Sequence, residues 1–289
     1  ARAELSSELS IHRATQYLFF RQWAALRDFA HAHGVSLIGD LPIYTASDSA
    51  DVWSAPKEFQ LDENGHPTEV AGCPPDGFSP DGQLWGNYLF AWDRMAEDGY
   101  AWWRRRVLFQ LQLYDILRID HFRGFDAYYA IPAGDGTARN GRWRPGPGLA
   151  LFQALTAAYG GEMPIIAEDL GFLSDSVRTL VRETGYPGMK VLELAFDSRD
   201  SGASDYLPHR VGEHCVVYTG THDNDTILGW AATAPAADVA FARDYLKLGG
   251  RQDWNWAMMD AAWQSPAELA VIQVQDLLGL GHEARMNTP

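Results

Sequence analysis

The chain has 289 residues, 46% of them apolar, enough for a sizeable core in one large domain or two modest ones. Its formal net charge of -15 argues against a nucleic-acid partner, because polyanions are gripped by basic patches. No apolar stretch approaches membrane-spanning length, so no membrane partner is expected.

The first ten residues are polar and carry Glu4 and Glu8, which is not a signal-peptide pattern. The missing initiator Met suggests a piece of a longer chain. Helical spacing runs from His12 to His33, with Tyr17, Phe20, Trp23 and Leu26 on one stripe and Gly34 placed to end it. Residues 35–40 read as a short buried strand ending at Asp40. Residues 44–92 read as one long irregular stretch, rich in Pro, Gly, Asp and aromatics. Such a loop is functional or disordered, and its tryptophans argue against disorder.

Residues 93–115 read as a helix, with Arg104, Arg105 and Arg106 on a solvated face beside packed tryptophans. It runs into a strand that stops at Asp120. A Gly/Pro/Arg loop over 132–148 precedes a helix near 149–159 and a strand ending at Glu168. A helix over 175–184 takes Ser174 as its N-cap. A strand over 189–196 and another leading to Asp223 come next. Helices near 236–248 and 254–263 and a last strand over 271–277 complete the chain. About six strand–helix units at this rhythm imply an α/β fold with a parallel sheet. A doubly wound sheet would more often show a Gly-rich phosphate turn after an early strand, and none is present. The expectation is a TIM (β/α)8-type barrel; six units do not close eight, so either two strands go unseen in the sequence or the barrel is incomplete and lacks its first two, which the abrupt start favours.

Three strands end alike. Apolar runs stop at Asp120 (Ile-Leu-Arg-Ile-Asp-His-Phe-Arg-Gly), at Glu168 (Pro-Ile-Ile-Ala-Glu-Asp-Leu-Gly) and near Asp223 (Val-Val-Tyr-Thr-Gly-Thr-His-Asp-Asn-Asp). Carboxylates avoid buried strand ends unless they work there, and parallel barrels do chemistry at the face that gathers those ends. Paired carboxyl groups break glycosidic bonds through an oxocarbenium-like transition state. Asp120 fits the nucleophile, with Arg118 on the same side of the strand to keep it ionised. Glu168 fits the acid/base, helped by neighbouring Asp169. Asp223 with His222 fits sugar binding and charge stabilisation. Asp40 fits a hydroxyl contact or a partner for Arg118.

His121, His222, Asp223, Asp225 and Asp169 are an alternative metal set, but Asp120 and His121 point opposite ways on a strand and no His-x-His pair exists. No metal or cofactor is therefore expected. The 11 Trp, 12 Tyr and 13 Phe either fill the core or line a groove that stacks on sugars. Cys73 and Cys215 suit two buried thiols in a reducing, cytoplasmic compartment.

Seven segments in order carry a closer likeness: 38–43, 72–79, 82–87, 117–124, 166–171, 218–225 and 275–289. With them the chain resembles the 4-alpha-glucanotransferases (amylomaltase or disproportionating enzyme), glycoside hydrolase family 77 of the alpha-amylase clan. The resemblance implies transfer of α-1,4-glucan segments between maltooligosaccharides by a retaining mechanism through a glycosyl-Asp120 intermediate. It implies Glu168 as acid/base, Asp223 as transition-state stabiliser, and Arg118, His222 and Asp40 around the cleavage point. Gln83, Trp85, Asp169 and Asn287 match positions near donor or acceptor glucan. It also implies that 1–289 is a partial catalytic barrel holding strands three to eight, with 44–92 an insertion covering the site. Gly77 stands where family members often carry an aromatic, and Phe78 remains beside it to stack. A hydrolase of the same clan is the nearest alternative.

Overall fold

A computed structural model of the chain describes residues 3–75, 79–171, 173–200, 204–250 and 253–287. The backbone divides into two compact units, Ala1–Glu168 with Leu173–Tyr186, and Asp169–Phe172 with Pro187–Pro289.

The first unit opens with helix α1 (Ser6–Ala32), whose last turn gives way to Gly34 at φ +71°. The predicted apolar stripe is real but largely uncovered: Tyr17 and Leu26 are exposed, and Ala30 is the buried residue of the helix. Trp23 and Phe20 are anchored, Trp23 Nε1 donating to the Leu113 carbonyl at 3.0 Å and the Phe20 ring meeting Phe109 edge-on at 5.9 Å. Periodicity finds an apolar face without saying what covers it. Strand β1 (Ile38–Leu41) follows.

The stretch expected to be irregular contains α2 (Ala50–Ser54), β2 (Glu69–Cys73) and β3 (Gln83–Tyr88). Gly72 hid β2 from the sequence reading, since glycine marks loops more often than strands. Here a side chain at Gly72 would meet the Gln83 carbonyl at 2.2 Å, so close pairing of β2 with β3 requires it. The single helix expected over 93–115 is two, α3 (Trp92–Glu97) and α4 (Ala101–Leu113). Gly99 and Tyr100 break it in the left-handed region, and Asp98 accepts the Ala101 N–H as a cap.

Beyond α4 come β4 (Ile116–Ile119), β5 (Ala127–Pro132), β6 (Arg142–Pro145), α5 (Leu149–Tyr159), β7 (Ile165–Ala167) and α6 (Asp175–Thr184). Ser174 caps α6 as expected, accepting from the Val177 N–H. Strands β1, β4 and β7 form a parallel sheet in that order, and β3, β2, β5 and β6 form an antiparallel one. The apolar runs of β4 and β7 are buried, as parallel strands require. Much of the aromatic surplus is core: Trp103, Phe90, Phe122, Phe125 and Phe152 are fully buried, with Phe122 stacked on Phe152 at 4.8 Å.

The second unit is built from β8 (Gly188–Val191), β9 (Cys215–Tyr218), α7 (Ile227–Thr233), α8 (Ala236–Tyr245), α9 (Trp254–Trp263), β10 (Leu269–Val271) and α10 (Val274–Leu277). β10, β9 and β8 form a second parallel sheet. The strand predicted over 189–196 stops at Val191 and turns into a 3-10 segment, Leu192–Leu194. The one predicted over 271–277 is the end of β10 followed by α10.

The parallel strands thus number six, three in each unit, and no closed barrel forms among the described residues. Neither cysteine is in a disulfide, Cys215 being buried and Cys73 partly so. Among the described residues no helix is long and apolar enough to cross a membrane.

Candidate active site

In the first unit, parallel pairing sets Asp40 on β1 opposite Arg118 on β4. The period-two alternation then puts Asp120 on the same side as Arg118. The Arg118 guanidinium uses one nitrogen for both acids, Nη1 lying 2.6 Å from Asp40 Oδ1 and 2.9 Å from Asp120 Oδ1. Arg118 is buried, and burial alone would weaken its charge. Asp40, Asp120 and Glu168 outweigh that and push its pKa up. The cation is therefore locked among three carboxylates.

The chain leaves β4 sharply. His121 takes a left-handed conformation, φ 49° and ψ 49°, rare for a residue with a side chain. That turn aims the His121 N–H at Glu168, whose Oε2 accepts it at 2.7 Å. The Glu168 backbone is tied on both sides, its N–H to the Ile119 carbonyl and its carbonyl to the Phe122 N–H. The Glu168 carboxylate thus sits on the peptide that joins Asp120 to His121.

β3 brings a further pair. Trp85 Nε1 donates to Gln83 Oε1 at 3.0 Å, and the half-exposed Trp85 ring meets the His121 ring edge-on at 4.9 Å. Burial, then the nearby Arg123 charge, lowers the His121 pKa to about 4, so this imidazole is neutral at ordinary pH. Asp40, Arg118, Asp120, Glu168, Gln83 and Trp85, picked from the sequence, are thus gathered within one unit. Phe78 and Gly77 lie outside the described residues.

The reading of Arg104–Arg106 as a solvated face is corrected at Arg106. Its guanidinium donates to the Pro42 and Ile43 carbonyls and packs on the Trp102 and Trp103 rings at 5.1 and 5.0 Å. It thereby fixes the chain just past Asp40. Arginine beside two tryptophans was the available signal, since the guanidinium stacks on aromatic faces.

In the second unit, the segment after β9 is a tightly bonded turn. Asn224 Oδ1 accepts from the Thr221 N–H and Oγ1, and Gln273 Nε2 donates to the Thr221 and Asp225 carbonyls. Asp223 stands on this turn. Asn287 Nδ2 donates to its Oδ1 at 2.6 Å, Arg285 holds its carbonyl, and His222 Nε2 lies 3.4 Å from its Oδ2. His282 bonds Asp225 at 2.7 Å. Arg285, His282 and Gln273 were not foreseen individually, although all but Gln273 lie in the C-terminal matching segment. Asp169 is buried, and its Oδ1 accepts the Met189 N–H at 2.7 Å. A side chain at Gly188 would meet that carboxylate at 2.6 Å, so glycine there makes room for it. Among the described residues no cluster of three or more His, Cys, Asp or Glu is placed to hold a metal ion.

The 4-alpha-glucanotransferase family model matches residues 1–289. The 4-alpha-glucanotransferase of Thermus thermophilus is 50% identical over 296 residues, spanning 100% of this chain and 59% of that protein. The chloroplastic/amyloplastic 4-alpha-glucanotransferase of Arabidopsis thaliana is 47% identical over 278 residues, spanning 96% of this chain and 47% of that protein. Among solved structures, the amylomaltase of Streptococcus agalactiae, determined in complex with acarbose, superposes with a TM-score of 0.96. It shares 38% identity, over 100% of this chain and 58% of its own. The chain therefore spans about half to three fifths of the length of these relatives.

Proposed function

The chain belongs to the 4-alpha-glucanotransferase family, and on that footing we propose that it carries the machinery for transferring α-1,4-glucan segments between maltooligosaccharides. Asp120 attacks the anomeric carbon of the bound donor and forms a covalent glycosyl ester. Glu168 protonates the departing glycosidic oxygen, then takes a proton from the incoming 4-hydroxyl as the ester is displaced. Two inversions leave the anomeric configuration unchanged. Asp223 stabilises the positive charge that develops on the ring. His222, Asp40, Asp169 and Asn287 bind sugar hydroxyls.

The observation that carries this reading is the Arg118 guanidinium bonded to both Asp40 and Asp120, with Glu168 on the very next amide. A buried cation of fixed charge favours an ionised nucleophile, and the shared peptide keeps the acid/base beside it. The six parallel strands fit strands three to eight of an incomplete (β/α)8 barrel, with residues 44–92 an insertion that covers the site.

Transfer and hydrolysis share the glycosyl ester and differ in what attacks it. Water at about 55 M wins unless the acceptor is bound and oriented, which supplies an effective molarity of about 10⁵ M or more. Trp85, stacked edge-on against His121 beside the reacting pair, is the surface proposed to hold the acceptor sugar. Incubation of the intact protein with maltotriose decides between the readings. A ladder of longer glucans supports transfer, and shorter sugars alone mean an α-glucan hydrolase. Activity abolished by a chelator points to a metal-dependent hydrolase.

A further inference from the structure

Glu193 is a buried acid with no task in the chemistry above. It lies in the 3-10 segment just after β8 and is 8% exposed. Its Oε1 is buried and has no hydrogen-bond partner. That oxygen faces Gly220, where an added Cβ would lie 3.0 Å from it and 2.4 Å from Gln273 Nε2. Glycine at 220 thus leaves the space in which the Glu193 carboxyl sits beneath the turn bearing Asp223. Asn224 connects the two. Its Cβ borders the same space, 3.2 Å from where a Gly220 Cβ would lie, while its Oδ1 holds the Thr221 N–H and Oγ1.

A charge at Glu193 would be poorly placed. An orphaned carboxylate oxygen in a buried site is expensive, whereas a neutral acid tolerates it better. Asp276 faces it from α10 and Asp225 from the turn, both adding negative charge, while Arg285 from the C-terminal segment opposes them. Burial, then Asp276 and Asp225, pushes the Glu193 carboxyl up to about 9. Asp276 has donors for both oxygens, the Thr219 hydroxyl and the Ile227 N–H. Asp225 is bonded to His282. Burial raises the Asp276 carboxyl too, but its two hydrogen bonds act against that, whereas Glu193 with its orphaned oxygen is the acid least able to carry a charge.

We propose that Glu193 is a positioning residue for Asp223: its neutral carboxyl supports the Thr221–Asp225 turn through Asn224, and loss of its proton ends activity at alkaline pH. The inference rests on the reading of Asp223 as the stabilising carboxylate. Deprotonation leaves a third negative charge against Asp225 and Asp276, and the turn that carries Asp223 moves away from it.

The test compares wild type, Glu193→Gln and Glu193→Ala in the intact protein. Glutamine keeps the shape and an uncharged polar end but cannot ionise. The wild-type kcat/KM for maltotriose disproportionation falls about tenfold per pH unit above about pH 9, and the E193Q rate does not. E193A loses about 10²-fold in kcat with little change in KM, the effect of a small displacement of a catalytic group. Wild-type and E193Q profiles that fall together overturn the inference, as does an E193A variant with full kcat. If the wild type lengthens no maltotriose, the transfer reading fails instead. Amide-exchange protection of the Thr221–Asp225 turn then decides. Protection that drops between about pH 8 and 10 in wild type but not in E193Q supports the positioning role. Equal responses defeat it.

Discussion

Replacing Glu193 by Gln should stabilise the protein at neutral pH, by an amount set by the surroundings of the carboxyl. Burial and two facing acids hold it at about 9 in the fold, against 4.5 for the free side chain. The sign follows from linkage. A folded-state value above the unfolded one gives stability that is complete below the unfolded value and declines as pH rises toward the folded one. Each pH unit in that window removes about 1.36 kcal/mol, so about 3 kcal/mol is lost between about pH 4.5 and 7. Glutamine skips that loss. Urea unfolding of both proteins at the two pH values measures it, and the difference between them cancels every other titrating group. The expected outcome is near-equal stability at the acid end and a gap of about 3 kcal/mol in favour of E193Q at neutrality. A gap that does not widen with pH would mean that Glu193 ionises normally in the fold, and the argument from its orphaned oxygen would be refuted.

Asp120→Asn should abolish turnover while calorimetry still detects maltooligosaccharide binding, and a retained rate would remove Asp120 from the nucleophile role. Trp85→Ala should raise the ratio of glucose freed by hydrolysis to glucan transferred, read by chromatography of maltotriose digests; an unchanged ratio would show that the ring does not select the acceptor. Arg118→Met strips the shared counter-charge from Asp40 and Asp120. Because both acids are about two-fifths exposed, the loss should fall below the usual cost of breaking a buried pair, at about 1–3 kcal/mol in denaturant unfolding. Phe122→Ala, which empties a fully buried ring site beside His121, should cost about 3–5 kcal/mol by the same measurement.

What the sequence revealed divides along physical lines. The strands that stop just before Asp120 and Glu168 were legible because apolar runs ending in charge are unusual, and so was β9, although Asp223 stands five residues beyond its end on a turn. The Asp40–Arg118 contact was foreseen as one option for Asp40, since alternation along a strand fixes which side chains share a face. Helix α6 and its Ser174 cap were legible because capping is local chemistry. The antiparallel sheet of β2, β3, β5 and β6 was not, because glycine interrupts β2 and β3, β3 and β6 are largely exposed, and the pairing is non-local. Arg106 was misjudged because a run of arginines looks solvated until the carbonyls of Pro42 and Ile43 are seen within reach. Nothing local in Leu192–Leu194 announces that Glu193 is buried; that depends on the empty space at Gly220, a residue distant in sequence.

The arrangement at Arg118 also constrains how this protein can change over generations. One guanidinium nitrogen serves two acids, so the effect of altering either acid depends on whether the other is intact. Substitutions at 40, 118 and 120 are expected to be strongly non-additive. A lineage cannot drift through these positions one at a time; it either keeps the trio or must replace it together, which makes this corner of the fold resistant to gradual evolutionary retuning.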